Sequence, residues 1–214
     1  SNFRDGPVNF YRALQSKQPD AIARTVAFTF MGVRAEKWSE RQRADMAVFF
    51  SCLSRKGTGE WKEEIVTFDA GKASALAPEG LVFPDGKPAK LPAGRDPRAL
   101  FADWLITPEN PWFTRAIANR VWSWFLGRGV VHEPDDFRAD NPPANAELLA
   151  ALERELVAAR YDLKALFRLI LTSATYQFSS IARSEGAVAE ANFAAYPLRR
   201  LDAEVLIDAL NQIS

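Results

Sequence analysis

Four carboxylates and the chain's one histidine crowd a single short run: His132, Glu133, Asp135, Asp136 and Asp140 fall within HEPDDFRAD, with Arg120, Arg128 and Arg138 around them. Hard oxygen donors at that density suit calcium, which takes about 6 to 8 oxygens, although the spacing is not that of an EF-hand. The three arginines compete for the same carboxylates, and this favours a lattice of ion pairs over a metal site. Two acids could also serve glycoside cleavage, but that needs carboxyls about 5 to 9.5 Å apart across a cleft, which no sequence shows. His132 beside Glu133 reads first as a histidine–carboxylate contact and second as a general base. With one histidine and one distant cysteine, Cys52, neither a nucleophile–base pair nor a zinc tetrad can be assembled. No catalytic residue, metal ligand or cofactor is therefore assigned, and neither zinc nor haem is expected. Ser173 and Tyr176 share a helix face three residues apart, a spacing more often used to bond backbone at a helix end than to build a site. The glycines of Gly127-Arg128-Gly129 follow a helix instead of opening one, so they are not a phosphate loop.

The element that must position this loop is the helix before it. Thr107 or Asn110 supplies an N-cap, with Pro108 or Pro111 at the first helical position. Phe113, Ile117, Val121, Trp124 and Phe125 then recur at helical spacing, which predicts a buried stripe. Gly127 is placed to end the helix in a left-handed cap. At about 100° per residue Arg120 falls inside the apolar arc, whereas Arg115, Asn119 and Trp122 share the other side. An arginine on a core stripe needs a carboxylate, so Arg120 is expected to pair with Asp135 or Asp136 of the loop folded back over the helix. The candidate binding residues are Arg120, Arg128, Asp135, Asp136, Arg138 and Trp122.

Composition narrows the classes of function. Lys plus Arg equals Asp plus Glu at 27 each, so no overall field draws in nucleic acid, and neither nucleic-acid binding nor membrane insertion is expected. No apolar run approaches the roughly 20 residues that span a bilayer. Six Trp and fifteen Phe point to aromatic packing between helices. Cys52, inside MAVFFSCL, reads as a buried inert thiol.

Along the chain, residues 7–16 and 19–33 read as helices with proline in the first turn, the second presenting Ile22, Val26, Phe30 and Val33 together. Ser39 caps a third, whose stripe of Met46, Phe49, Phe50 and Leu53 predicts a helix running to Gly57 and packed on the second. Residues 60–95 form a loop-rich connector, with a strand in EWKEEIVTFDAG and an extended pair around Pro84-Asp85-Gly86. Asp96-Pro97 opens a helix with Leu100, Phe101, Trp104 and Leu105 inward. A helix with Leu148, Leu149, Leu152 and Leu156 on one side follows the loop and its Asn141-Pro142-Pro143. Asp162 caps the next, DLKALFRLILTSATYQ, with Leu166, Leu169, Ile170 and Ser173 inward, and a last helix covers 201–213. The fold class expected is mostly α: a helical bundle-like domain with a small hairpin-bearing connector. Three parts are expected, a helical segment 1–59, the connector 60–95 and a helical domain 96–214. The last helix lacks a stop signal, so the chain reads as an excerpt of a longer protein with Leu206 and Leu210 short of partners.

The runs NPWFTRAIANRVWSWFLGRG, DDFRADNPP, YDLKALFRLILTSATYQFSS and YPLRRLDAEVLIDAL together resemble the paired planctomycete-type domains of unknown function numbered 1549 and 1553. Residues 96–214 resemble the second of the pair, and 1–59 the tail of the first. Asn110, Asn119, Arg120, Trp122, Gly127, Arg128, Gly129, Asp135, Asp136, Arg138 and Asp162 are among the matching positions. Asn145-Ala146 stands where the family tends to have His-Pro, and Arg160 where it has glycine. The Cys-x-x-Cys-His run of the first domain is absent between Val33 and Trp38. The resemblance implies an extracytoplasmic setting, in an exported multidomain protein beside a cytochrome c domain. It also implies that the partners are other domains of the same polypeptide, a haem domain among them.

It brings no known reaction, so function has to be argued from the site. The first reading is a non-catalytic structural or interaction module. The alternative is a hydrolase or carbohydrate-active site built from Asp135, Asp136, Arg120 and the tryptophan cluster.

Overall fold

The computed structural model describes residues 14, 18–59, 64–76, 81–183, 186–196, 198, 200 and 203–213. Helices dominate, and two small antiparallel strand pairs are the β structure among the described residues. The expected helix at 7–16 lies outside the described residues except at Leu14.

Two compact units divide the chain, one made of the described residues of Phe10–Ile117 with Asp135–Ala139, the other of Ala118–Pro134 with Asp140–Ser214. In the first unit, α1 (Pro19–Val26) carries Pro19 in its first turn and continues as a π-turn over Ala27–Met31, which Gly32 ends at φ 63°. The regular helix is thus shorter than the periodicity of 19–33 predicts. The wide turn rotates the pattern, burying Ala27 and Met31 while Phe30 and Val33 stay half-buried. Helix α2 (Glu40–Val48) packs on α1 and opens with a capping box, Ser39 and Gln42 satisfying each other's backbone N–H groups.

The predicted continuation of α2 to Gly57 is corrected by the structure. The helix stops at Val48, and Leu53–Gly57 is a strand, β1, paired with β2 (Glu64–Phe68) from Leu53 opposite Phe68 to Gly57 opposite Glu64. Met46, Phe49 and Phe50 are buried as the stripe requires. Leu53 keeps the helical spacing only by coincidence, because pairing with EIVTF overrides the local pattern. After β2, Asp69 accepts the N–H groups of Gly71 and Lys72 and so caps a one-turn helix, α3 (Ala70–Ser74), where the sequence suggested only a glycine stop. Strands β3 (Leu81–Val82) and β4 (Pro88–Ala89) close around Pro84-Asp85-Gly86. Proline there follows the first turn residue, Gly86 stands at φ 84°, and Gly86 N–H donates to the Phe83 carbonyl at 2.8 Å.

Helix α4 (Pro97–Leu105) starts as its sequence dictates: Asp96 accepts the Arg98 N–H and Pro97 occupies the first turn. Its buried face, Phe101 and Leu105, joins a core with Ile22, Val26, Met31, Met46, Phe49 and Phe50. Rings bind this core together. Phe83 lies stacked between Phe49 and Trp104, with centroids 5.3 and 4.9 Å away and planes within 7°, and Trp112 continues the series to Trp38. Burial of so much ring surface is the dominant stabilising term here.

Helix α5 (Phe113–Leu126) begins in the first unit and ends in the second. In the second unit α6 (Ala146–Ala158), capped by Asn145, buries Leu149, Leu152 and Leu156. It packs against α7 (Leu163–Leu171), which Asp162 caps. Helix α7 ends at Leu171, short of the Gln177 that its pattern suggested, and it buries Leu166 and Ile170 while Leu169 is exposed. A one-turn helix α8 (Ala187–Ala191) and the amphipathic α9 (Ala203–Ile213) follow.

Candidate functional site

The loop after α5 is fixed by an amide. Asn119 is fully buried, and its side chain spends three hydrogen bonds on the loop backbone. Its Oδ1 accepts the Val131 N–H at 2.9 Å, while Nδ2 donates to the carbonyls of Val131 at 3.1 Å and Pro134 at 3.3 Å. The sequence makes this possible in two ways. Gly127, at φ 75°, ends the helix, its N–H donating to the Ser123 carbonyl. Gly129 then passes so close that an added Cβ would meet both the Val131 carbonyl oxygen and the Asn119 amide. Val130 and Val131 are buried beneath, and the Ala144 N–H bonds the Val130 carbonyl at 2.8 Å.

The buried side of α5 differs from the predicted stripe. Thr114, Ala116, Ala118, Asn119, Val121, Trp122 and Leu126 are buried; Phe113, Ile117 and Phe125 are half-buried, and Trp124 is 43% exposed. Asn119 and Trp122, placed by the helical arc on the side away from the core, are core residues. Counting apolar residues misses Asn119 because an asparagine enters a core only when a specific backbone answers its amide, and that backbone lies twelve residues on. A signal was nonetheless present, since Asn119 is one of the positions that carry the family resemblance. Asn110 does cap the start, its Oδ1 accepting the N–H groups of Trp112 and Phe113 at 3.0 Å each.

The remaining sequence-selected residues divide between the two units. Asp136, in the first unit, is buried; its Oδ2 lies 3.0 Å from Arg138 Nε and 3.5 Å from Arg34 Nε. Sequence reasoning did not select Arg34. Beside this trio Phe137 donates its N–H to the Gly32 carbonyl at 2.9 Å and lays its ring on the Cα of Gly32. Asp135 is half-buried in the same unit. In the second unit Arg120 and Arg128 are half-buried, and Trp122, 2% exposed, meets the Phe193 ring edge-on at 5.2 Å. His132 is exposed with Nε2 3.9 Å from Glu133 Oε1, and its carbonyl accepts from Asn141. Ser173 accepts the Tyr176 N–H and donates to the Ile170 carbonyl, a local turn bond at the helix end.

A half-open cleft of about 310 Å³ lies between α2 and the β3–β4 hairpin, lined by Arg41, Gln42, Asp45 and residues 82–86. None of the sequence-selected residues lines it. Asp85 at its edge holds Lys87 at 3.0 Å and accepts from the Trp104 indole at 3.4 Å. Burial pushes its carboxyl up, but the hydrogen bonds from Lys87 and Trp104 outweigh burial and hold it below the usual range. Among the described residues no three His, Cys, Asp or Glu side chains are grouped as metal ligands, and no helix is long and apolar enough to cross a membrane.

A family model described as PSD1, protein of unknown function (DUF1553), matches residues 97–214. No curated protein and no solved structure matches the chain.

Proposed function

The chain belongs to the PSD1 family of proteins of unknown function (DUF1553), and we propose that it is a non-catalytic structural and interaction module in which the acidic loop is a brace and α9 offers the contact surface. The observation that carries this reading is the Asn119 amide, completely buried and committed to the loop backbone through three hydrogen bonds. Polar groups arranged for chemistry face a cavity or a substrate; this one is spent on holding main chain in place. Asp136 supports the same reading, since its carboxylate is shared between two guanidinium groups.

The contact surface follows from α9, whose Val205, Leu206, Ile207, Leu210 and Ile213 are all exposed. A helix with so apolar a side is stabilised in proteins by tertiary packing of that side. The partners proposed are other domains of the same polypeptide, a haem domain among them, in an exported, extracytoplasmic protein; these points rest on the motif resemblance. The test is association in trans. Wild-type protein and the Leu206→Glu/Leu210→Glu double variant are each mixed with the neighbouring domains and followed by sedimentation. The expected result is a complex with wild type that the double variant, folded and equally stable, fails to form. Equal binding by both would remove α9 as the contact surface.

A further inference from the structure

The segment from Gly186 to Tyr196 is attached to its unit in an unusual way. Among its described residues Phe193 alone is buried, and Val188 is 78% exposed. The hydrogen bonds of residues 186–194 stay, among the described residues, inside the segment. Glu190 N–H donates to the Gly186 carbonyl, Asn192 N–H and Nδ2 to Val188, Phe193 N–H to Glu190, and Ala194 N–H to Ala189. Among the described residues the segment is held by Phe193, edge-on to Trp122 at 5.2 Å, and by Tyr196 at the far end. Tyr196 donates its N–H to the Ser179 carbonyl and sets its ring against Tyr176.

The closed arrangement carries a cost that opening relieves. That cost is not the φ of 53° at Phe193, which is the left-handed residue ending α8, with the Ala194 N–H returning to the Ala189 carbonyl. The Trp122 indole Nε1 is buried with no acceptor among the described residues, where a desolvated donor is costly. Against this stand the burial of one phenyl ring and one edge-on aromatic contact. Gly186, at φ 106° with no heavy atom near its missing Cβ, gives the segment a pivot that only glycine adopts freely.

We propose that Gly186–Tyr196 is a flap, plugged by Phe193 into the unit beside Trp122 and poised to swing out on Gly186 and uncover the indole. Opening hydrates the Trp122 N–H, while α6 and α7 stay folded. Such opening is a local event with its own free energy, below that of global unfolding.

Hydrogen exchange on the isotope-labelled protein, read at the Trp122 indole and at individual amides, tests this. The Trp122 N–H and the amides of Glu190, Phe193 and Ala194 should exchange together, about 100-fold faster than those of Leu152 and Leu156 and with little dependence on denaturant. Phe193→Ala should speed the Trp122 N–H by at least about tenfold and leave the α6 amides unchanged. If the Trp122 N–H of the wild-type protein exchanges only in step with Leu152 and Leu156, the flap does not open and the proposal fails. The same holds if Phe193→Ala accelerates all of them alike. Because the wild-type comparison stands alone, the test survives a variant that does not fold.

Discussion

A methyl group at Gly129 would land on the Val131 carbonyl oxygen and lie 2.9 Å from the Asn119 amide nitrogen, so backbone as well as side chain would have to move. Gly129→Ala is expected to cost about 1 to 3 kcal/mol, the range for overpacking a tight interior; an unchanged urea midpoint would show that the loop gives way freely. Gly32 is constrained twice. It stands at φ 63°, and a Cβ there would sit 2.6 and 2.8 Å from carbons of the Phe137 ring. Gly32→Ala therefore adds backbone strain to overpacking, for an expected loss of about 2 to 4 kcal/mol in the same experiment. Arg160 presents the opposite case, a side chain where the backbone prefers none, at φ 53° and followed by Tyr161 at φ 62°. Relief of the left-handed penalty outweighs the extra entropy of an unfolded glycine, so Arg160→Gly should raise stability by about 0.5 to 1 kcal/mol. A loss on unfolding would mean that Arg160 makes contacts worth more than its strain. Glycine at this position is also what the family resemblance leads one to expect.

Helix α4 shows how an element's boundary becomes a pH dependence. The Asp96 carboxyl is partly buried, which alone would raise its pKa, but side-chain and backbone hydrogen bonds from Arg98 prevail and hold it below the ordinary value of 3.8. Asp85, between Lys87 and the Trp104 indole, is lowered in the same way. A group lowered on folding adds stability that is fully present above its unfolded pKa and is lost as pH falls through the folded value. Unfolding free energy should accordingly be flat above about pH 5 from these groups and decline below about pH 4. Asp96→Asn should show a shallower acid decline than wild type, measured by urea unfolding at stepped pH; identical acid limbs would remove Asp96 from the account. Such caps were the most legible features of the chain. Ser39, Asp96 with Pro97, Asp162, the Pro84-Asp85-Gly86 turn and the Gly127 stop all act locally, through their own hydrogen bonds or φ angles, and local chemistry is written in adjacent residues. Strand β1 was illegible for the converse reason: its strand character comes from pairing with β2, while Met46, Phe49, Phe50 and Leu53 keep helical spacing right through the end of the helix. The π-turn at Ala27–Met31 is similarly hidden, since a single wide turn leaves no mark on composition.

Taken whole, the chain is two aromatic-rich units with helix α5 running from one into the other. The mostly helical class could be read from periodicity and ring content, because both are sums over many residues. The place of Asn119 could not, because an amide enters the core only where the loop backbone returns to meet it. Asn119 is buried completely, and Arg120 is half-buried. The proposal of a braced, non-catalytic module therefore stands on one side chain, and its replacement is the most direct test. Asn119→Ala leaves the buried N–H and carbonyl of Val131 without their partner, and stranded backbone groups cost about 1 to 3 kcal/mol each. Equilibrium urea unfolding of wild type and Asn119→Ala, each folded by circular dichroism, is the measurement. The expected result is a loss of about 2 to 4 kcal/mol with an unchanged slope. A variant within about 0.5 kcal/mol of wild type would mean that the amide does not hold the loop, and would contradict the structural reading of this site.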